Sequence, residues 1–235
     1  PEGYANAMGR YKTGRESAFI RASLAATGLR VLDVGGGSGR FAVPLAEAGH
    51  HLTVVDVSAE AVDMLRRRRH PNIEALHADF ATFDAPSRFD AVIAIESVQY
   101  FPQVALADLF ARVGGLLRAG GVFAFTGLNK RSWRFGLHAL RRNRPTYNAS
   151  TPGGYFTALR QAGFSVSVAQ GFMWMPFPVS SNSPLVPAFA SIERRFGLGR
   201  WLDQSPWVLV AARYDGRSDP VAGRPPAASL AEGRR

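Results

Sequence analysis

The chain has no cysteine, only two lysines (Lys12 and Lys130), and no apolar run of the roughly 20 residues that a membrane-crossing helix requires. Without cysteine, zinc-cluster, iron–sulfur, thiol-nucleophile and disulfide chemistries are excluded. The stretch PEGYANAMGRYKTGR lacks the apolar core of a signal segment, so the expected setting is soluble, intracellular and cytoplasmic. Because lysine is scarce, the formal net charge of +10 is almost wholly an arginine charge. Such a charge bears on partners and solubility and says nothing about fold. At 235 residues the chain is long enough for one domain with a substantial core, and no internal repeat interrupts it.

What the chain does have is a punctuated stretch from Arg30 to Asp56. Val31-Leu32-Asp33-Val34 reads as a buried strand, Gly35-Gly36-Gly37-Ser38-Gly39 as a tight turn, and Phe41, Val43, Leu45 and Ala46 as a helix capped by Gly49. Leu52 to Asp56 is a second strand that ends in a carboxylate, so the unit is βαβ with parallel strands. Glycine lets the backbone approach a ligand closely, and the following helix aims free N–H groups at it. A dinucleotide fingerprint G-x-G-x-x-G fails, because its third glycine would fall at Arg40. A nicotinamide dehydrogenase is disfavoured on that ground.

Beyond this unit, strands and helices alternate. Arg15 to Ala26 predicts a covering helix after an arm or short helix over residues 1–14. Ser58 is the expected N-cap of a helix running into Arg66 to Arg69, where arginines suit the negative end of the helix dipole. Strands are expected at Asn72–His77, Arg88–Ile95, Val122–Thr126, Phe164–Val168 and Pro206–Tyr214. A helix from Leu106 is expected to close at Gly120-Gly121, and another over 153–162 at Gly163. The pattern implies a doubly wound α/β sheet in a single domain over 1–214, with residues 1–28 covering it and 127–150 and 172–205 inserted on the substrate side. From Asp215 to Arg235 the composition turns to Gly, Pro, Ala, Ser and Arg, which predicts a disordered tail.

The order Asp33-x-Gly35-x-Gly37-x-Gly39 resembles the first motif of the class I S-adenosylmethionine-dependent methyltransferases, and the resemblance extends over residues 31 to 126. The phrase LLRAGGVFAFT resembles that family's L-x-P-G-G approach to its fifth strand, with Ala119 in place of the proline. The resemblance implies a seven-stranded Rossmann-like sheet with an antiparallel last strand, S-adenosyl-L-methionine as cofactor, and no metal. It implies that Asp33 with Gly35, Gly36, Gly37 and Gly39 receives the methionine end of the cofactor. It implies further that Asp56, with Val57, takes the ribose hydroxyls. Asp79 and the Phe80 backbone would take the adenine, and Glu96 and Ser97 would line the methyl donor. In related methyltransferases an N-terminal segment folds over the cofactor, which makes Tyr11 and Arg15 candidates for its carboxylate or methionine end. Each acid alone has a plainer reading, since an Asp at a strand end often just caps the next helix.

The implied activity is methyl transfer to the N or O atom of a small to medium acceptor such as a sugar, a lipid-linked sugar or a secondary metabolite. Tyr100, Glu96 and His138 are the candidates for a base, should one be needed. Two segments should fix the acceptor. Residues 127–150 combine Trp133, Phe135, Leu137 and Leu140 with Lys130, Arg131, Arg134, Arg141, Arg142 and Arg144. That pattern is open to a charged helix face, an anion-recognition surface, or contact with an anionic membrane. Phe172 to Ser205, with Met173, Trp174, Met175 and Phe177 and a helical run from Leu185 to Phe196, should form a lid or an apolar wall. The rivals are RNA modification, prompted by the basic charge, and a non-catalytic subunit that keeps the fold. Nucleic acid is disfavoured because Glu96-Ser97-Val98-Gln99 stands where an Asn/Asp-Pro-Pro-Tyr/Phe tetrad would be. A dimer is compatible with all of this.

Overall fold

In the computed structural model of the chain, residues 4–139 and 146–216 are described, and of residues 138 and 139 only the backbone. Most of the expected tail, along with Arg141, Arg142 and Arg144, lies outside them.

Seven strands form one sheet: β1 Arg30–Val34, β2 His51–Asp56, β3 Ile73–His77, β4 Phe89–Ala94, β5 Leu117–Leu128, β6 Phe164–Phe172 and β7 Trp207–Tyr214. Their order is β3-β2-β1-β4-β5-β7-β6. The pairs among β1 to β5 are parallel, whereas β7 runs antiparallel to both β5 and β6. This is the doubly wound arrangement that the alternation implied, with the reversed last strand that the resemblance implied. The central strands are apolar at nearly every position because both faces are covered. On β4, Ala91 and Ile93 join one core while Val92 and Ala94 join the other. One layer is built by helices α1 (Ala7–Ser23), α2 (Ala42–Glu47), α3 (Ala59–Arg66) and α7 (Val186–Arg195); the opposite layer by α4 (Leu106–Leu116) and α6 (Pro152–Gln161). The short α5 (Trp133–Ala139) follows the end of β5.

Two expectations are corrected. The amino-terminal arm and covering helix are one helix, α1, opened by Asn6, whose side chain accepts the Gly9 N–H. Its buried face runs Met8, Lys12, Glu16, Phe19, and the two charged residues in that row concealed the apolar period. Helix α4 ends at Leu116 rather than at the glycine pair, because Leu117 is already extended and pairs with Phe89. Gly120, at φ +76°, and Gly121, where a Cβ would lie 2.8 Å from the Arg118 carbonyl oxygen, shape an irregular stretch inside β5 instead. The insertion does hold its expected helix, as α7. Among the described residues no helix is long and apolar enough to cross a membrane.

Candidate functional site

The carboxyl ends of β1, β2 and β4 lie side by side, and parallel pairing puts their terminal residues at one edge, where such sheets bind ligands. Leaving β1, the chain turns through Gly35 and Gly37, both at positive φ, and Gly39 at φ +87°. At Gly36 a Cβ would lie 2.5 Å from Asp33 Oδ2, and at Gly35 one would lie 2.8 Å from the Ser97 Cβ. At Gly35 and Gly36 no side chain larger than hydrogen fits without displacing the residues beside it.

Asp33 lies beneath the bend, 1 % exposed, and its Oδ2 has no hydrogen-bond partner among the described residues. Burial pushes its carboxyl up to about 7; Arg40 opposes this shift and Asp56 adds to it. At the end of β2, Asp56 Oδ2 accepts the Gly37 N–H and Oδ1 accepts the Ser58 N–H, each at 2.8 Å. These bonds fix the carboxylate while each oxygen keeps a second lone pair. After β3, Asp79 is exposed and its Oδ1 accepts the Ala81 N–H at 2.8 Å. Phe80 is buried edge-on against Phe101, and its carbonyl accepts from Arg112 Nε at 2.6 Å. Ser97 is buried with its Oγ unpartnered among the described residues.

These tips open onto a cavity of about 560 Å³ lined by Gly35, Asp56, Val57, Asp79, Phe80, Glu96, Ser97 and Tyr100. A second cavity, of about 900 Å³, is lined by Tyr4, Trp133, Arg134, Phe135, Leu137, Tyr147, Trp207 and the prolines of 176–178. Arg134 does not offer its charge to that space: it donates to the carbonyls of Met175 at 2.7 Å and Phe177 at 2.9 Å, which ties α5 to the insertion.

Between the two cavities lies a cluster of charge. Glu96, just past β4, has a left-handed backbone (φ +61°), and its N–H donates to Thr126 Oγ1 at 2.5 Å. Its carboxylate pairs with Lys12 Nζ and with Arg40, the latter at 2.5 Å, and accepts from the Tyr4 hydroxyl at 3.1 Å. Arg40 also reaches Glu16, at 3.3 Å, and packs over the Tyr4 ring at 3.9 Å. Lys12 is 1 % exposed and stands 4.0 Å over the Trp207 ring. Burial raises the proton affinity of Glu96, but Lys12 and then Arg40 outweigh it, so its pKa falls below the ordinary value. Glu16, fully buried with one oxygen unpartnered, is pushed up to about 8, mainly by burial.

The structure thus brings together Asp33, the glycines, Asp56, Val57, Asp79, Phe80, Glu96, Ser97 and Tyr100. It places Tyr11 and Arg15 elsewhere. Tyr11 donates to Glu193 Oε2 at 2.6 Å and accepts the Met173 N–H, and Arg15 lies 3.8 Å from Glu193, so both fasten α1 to α7. His138 has its backbone in α5, and its side chain lies outside the described residues. Sequence reading missed Tyr4, Lys12, Glu16 and Arg40. The signal for Lys12 was its place, with Met8 and Glu16, on the inner row of α1; Arg40 registered only as a mismatch to a dinucleotide motif.

The residues fit an adenosyl cofactor with an amino-acid tail. The glycine bend admits backbone-close contact, the fixed carboxylate of Asp56 has free lone pairs for hydroxyls, and the orphaned Asp33 oxygen suits a cationic group. Comparison with known proteins agrees. Residues 31–121 match the family model described as a methyltransferase domain. The ubiquinone biosynthesis O-methyltransferase of Nitrobacter winogradskyi is 32% identical over 164 residues, which is 64% of this chain and 62% of that protein. The protein of the same name from Methylocella silvestris is 35% identical over 113 residues, 44% of this chain and 41% of that one. The chain therefore spans only about half the length of these relatives. Among solved structures, magnesium protoporphyrin IX methyltransferase from Synechocystis PCC 6803 with bound S-adenosylhomocysteine superposes with a TM-score of 0.60 at 16% identity, covering 86% of this chain and 81% of that one. Residues 31–121 thus match a methyltransferase domain, and by strand order and superposition the chain has the fold of solved S-adenosylmethionine-dependent methyltransferases.

Proposed function

We propose that the chain is an S-adenosylmethionine-dependent methyltransferase that methylates an oxygen of a small acceptor with a flat, largely apolar body. The observation that carries this reading is the pair of cavities, one edged by carboxylates and Gly35, the other walled by aromatic rings, joined by the hydrogen bond from Tyr4, which lines the second, to Glu96, which lines the first. Asp56 would hold the ribose, Asp79 and the Phe80 backbone the adenine, and Asp33 the ammonium of the amino-acid tail. When bound, the cofactor supplies an electrophilic methyl on a neutral leaving group. The chain's own task is then alignment, which can lower a barrier by about 7–11 kcal/mol. The rings of Trp133, Phe135, Tyr147 and Trp207 favour a planar acceptor, because aromatic faces pack against one another at low entropic cost.

The choice of oxygen rests on the two relatives, both named O-methyltransferases. A phenol or enol must lose its proton as it attacks. Glu96 is a poor base while Lys12 and Arg40 stabilise its charged form. Tyr100, exposed on the cofactor cavity and edge-on to Tyr147 at 6.0 Å, and His138 are the remaining candidates. The test is methyl transfer from labelled S-adenosylmethionine to a panel of catechols, phenols and planar carboxylic acids. The reading expects labelled O-methyl product and an equal amount of S-adenosylhomocysteine. Product labelled only on nitrogen or carbon, or no turnover with any planar acceptor, would overturn it.

A further inference from the structure

We propose that the mouth of the second cavity is a docking surface for an anionic lipid bilayer, so that an acceptor dissolved in the membrane enters the cavity without crossing water. The route of the acceptor rests on the reading above; the docking is read from the surface itself. Trp133 and Leu137 lie one turn apart on α5 and are 45 % and 58 % exposed, and both line the 900 Å³ cavity together with the exposed Val179 of the insertion. Among the described residues no acid lines that cavity. Just before α5, Lys130 and Arg131 are exposed, and neither pairs with a carboxylate among the described residues. The stretch that supplies most of this mouth is segregated in charge: between Asp108 and Glu193 there is no Asp or Glu, against nine Lys and Arg. A surface that offers cations and no acid attracts an anionic partner, and each cation near an anionic bilayer is worth about fivefold in partition.

The exposed rings and chains are not the result of a loosely attached helix. Ser132 Oγ accepts the Phe135 N–H at 3.2 Å, and the buried Asn129 donates to the carbonyls of Asp203 and Ser205, each at 2.9 Å. Arg134 donates to the carbonyls of Met175 and Phe177. The segment is thus fastened to both ends of the insertion, and Trp133 and Leu137 are left on its outer face. Partners of negative charge differ in what they ask of this face. A free anionic acceptor needs a cation inside the cavity, but Arg134 is committed to carbonyls, and Lys130 and Arg131 are not among the described walls. A nucleic acid uses aromatic faces and cations, and leaves Leu137 and Val179 in water. A bilayer uses all of them: the indole at headgroup level, Leu137 and Val179 at the acyl boundary, and the two cations on lipid phosphates.

Flotation of the full chain with vesicles tests this. Wild type should float with mixed phosphatidylglycerol and phosphatidylcholine vesicles, much less with phosphatidylcholine alone, and its partition should fall as salt rises. Lys130→Gln and Arg131→Gln should each lose about fivefold. Arg118→Gln makes the same change of charge at the other end of β5, where Arg118 pairs with Asp90, and should lose less than about twofold. Trp133→Ser and Leu137→Ser should each lose on the order of tenfold, with thermal unfolding confirming that each variant is folded. Should Trp133→Ser fail to fold, Leu137→Ser carries the test. The proposal is overturned if wild type does not float, if Arg118→Gln loses as much as Lys130→Gln, or if both apolar variants partition like wild type. Binding of tRNA in preference to anionic vesicles at equal salt would also overturn it. None of these readouts needs an acceptor: absence of flotation strikes the docking alone, whereas flotation without turnover of any planar acceptor strikes the acceptor reading.

Discussion

Asp33 ties stability and cofactor binding to pH with opposite signs. Its carboxyl is raised from the usual carboxylate range to about 7 by burial, so the folded chain prefers it protonated. The stability this contributes is complete below the unfolded value of about 4 and is lost as pH rises through about 7. A cationic tail, by contrast, is held only by the ionised form. Affinity for S-adenosylhomocysteine should therefore rise between pH 6 and pH 8, on the order of tenfold, and the rise should flatten in Asp33→Asn, which calorimetry at the two pH values would show. The same substitution should make the free chain more stable at pH 8 than wild type, because it removes the buried ionisation. A second prediction concerns Gly39. Its φ is +87° and a Cβ would lie 2.5 Å from Leu65 Cδ1, so Gly39→Ala combines backbone strain with overpacking and should cost about 2–4 kcal/mol in denaturant unfolding.

At the scale of elements, the proposed acceptor wall depends on α5 being fastened to the insertion. Arg134 does this through the carbonyls of Met175 and Phe177, two part-buried hydrogen bonds from one guanidinium. Arg134→Met should leave the affinity for S-adenosylhomocysteine within about twofold and raise the acceptor KM by roughly tenfold, since only the second cavity loses its wall. Steady-state kinetics with a competent acceptor, set beside calorimetry on the cofactor, would separate the two effects. The elements themselves were legible where periodicity and caps agreed. Ser58 at α3 accepts the Ala61 N–H, and Gly49 and Gly163 follow their helices at positive φ. They were not legible where function displaced the pattern. Lys12 and Glu16 sit on the inner row of α1, so its first turns read as an arm or a short helix separate from the covering helix, and Lys12, one of the two charges in that row, pairs with Glu96. The resemblance alone makes Tyr11 and Arg15 candidates for cofactor contact, and it does not fix which face of the helix each occupies. A helix turns adjacent residues roughly 100° apart, so Tyr11 faces Glu193 while Lys12 faces Glu96.

For the whole molecule, the glycine bend and the acidic strand ends could be read from sequence because they are local: each depends on residue type at a strand terminus. The proposed acceptor space could not, because it is assembled from residues as far apart as Tyr4, Trp133 and Trp207. The net charge of +10 had suggested partners of opposite sign, yet Arg40 and Arg134, the two arginines that matter most here, are spent inside the protein on Glu96, Glu16 and backbone carbonyls. The central claim is that the carboxyl edge of the sheet is an adenosyl site organised by separate carboxylates. Its most direct test is calorimetric titration of S-adenosylhomocysteine into wild type, Asp56→Ala and Asp79→Ala. Wild type should bind in the micromolar range, Asp56→Ala should lose about a hundredfold because two hydroxyls lose one acceptor, and Asp79→Ala about tenfold. Equal affinity in wild type and Asp56→Ala, with both folded, would contradict it.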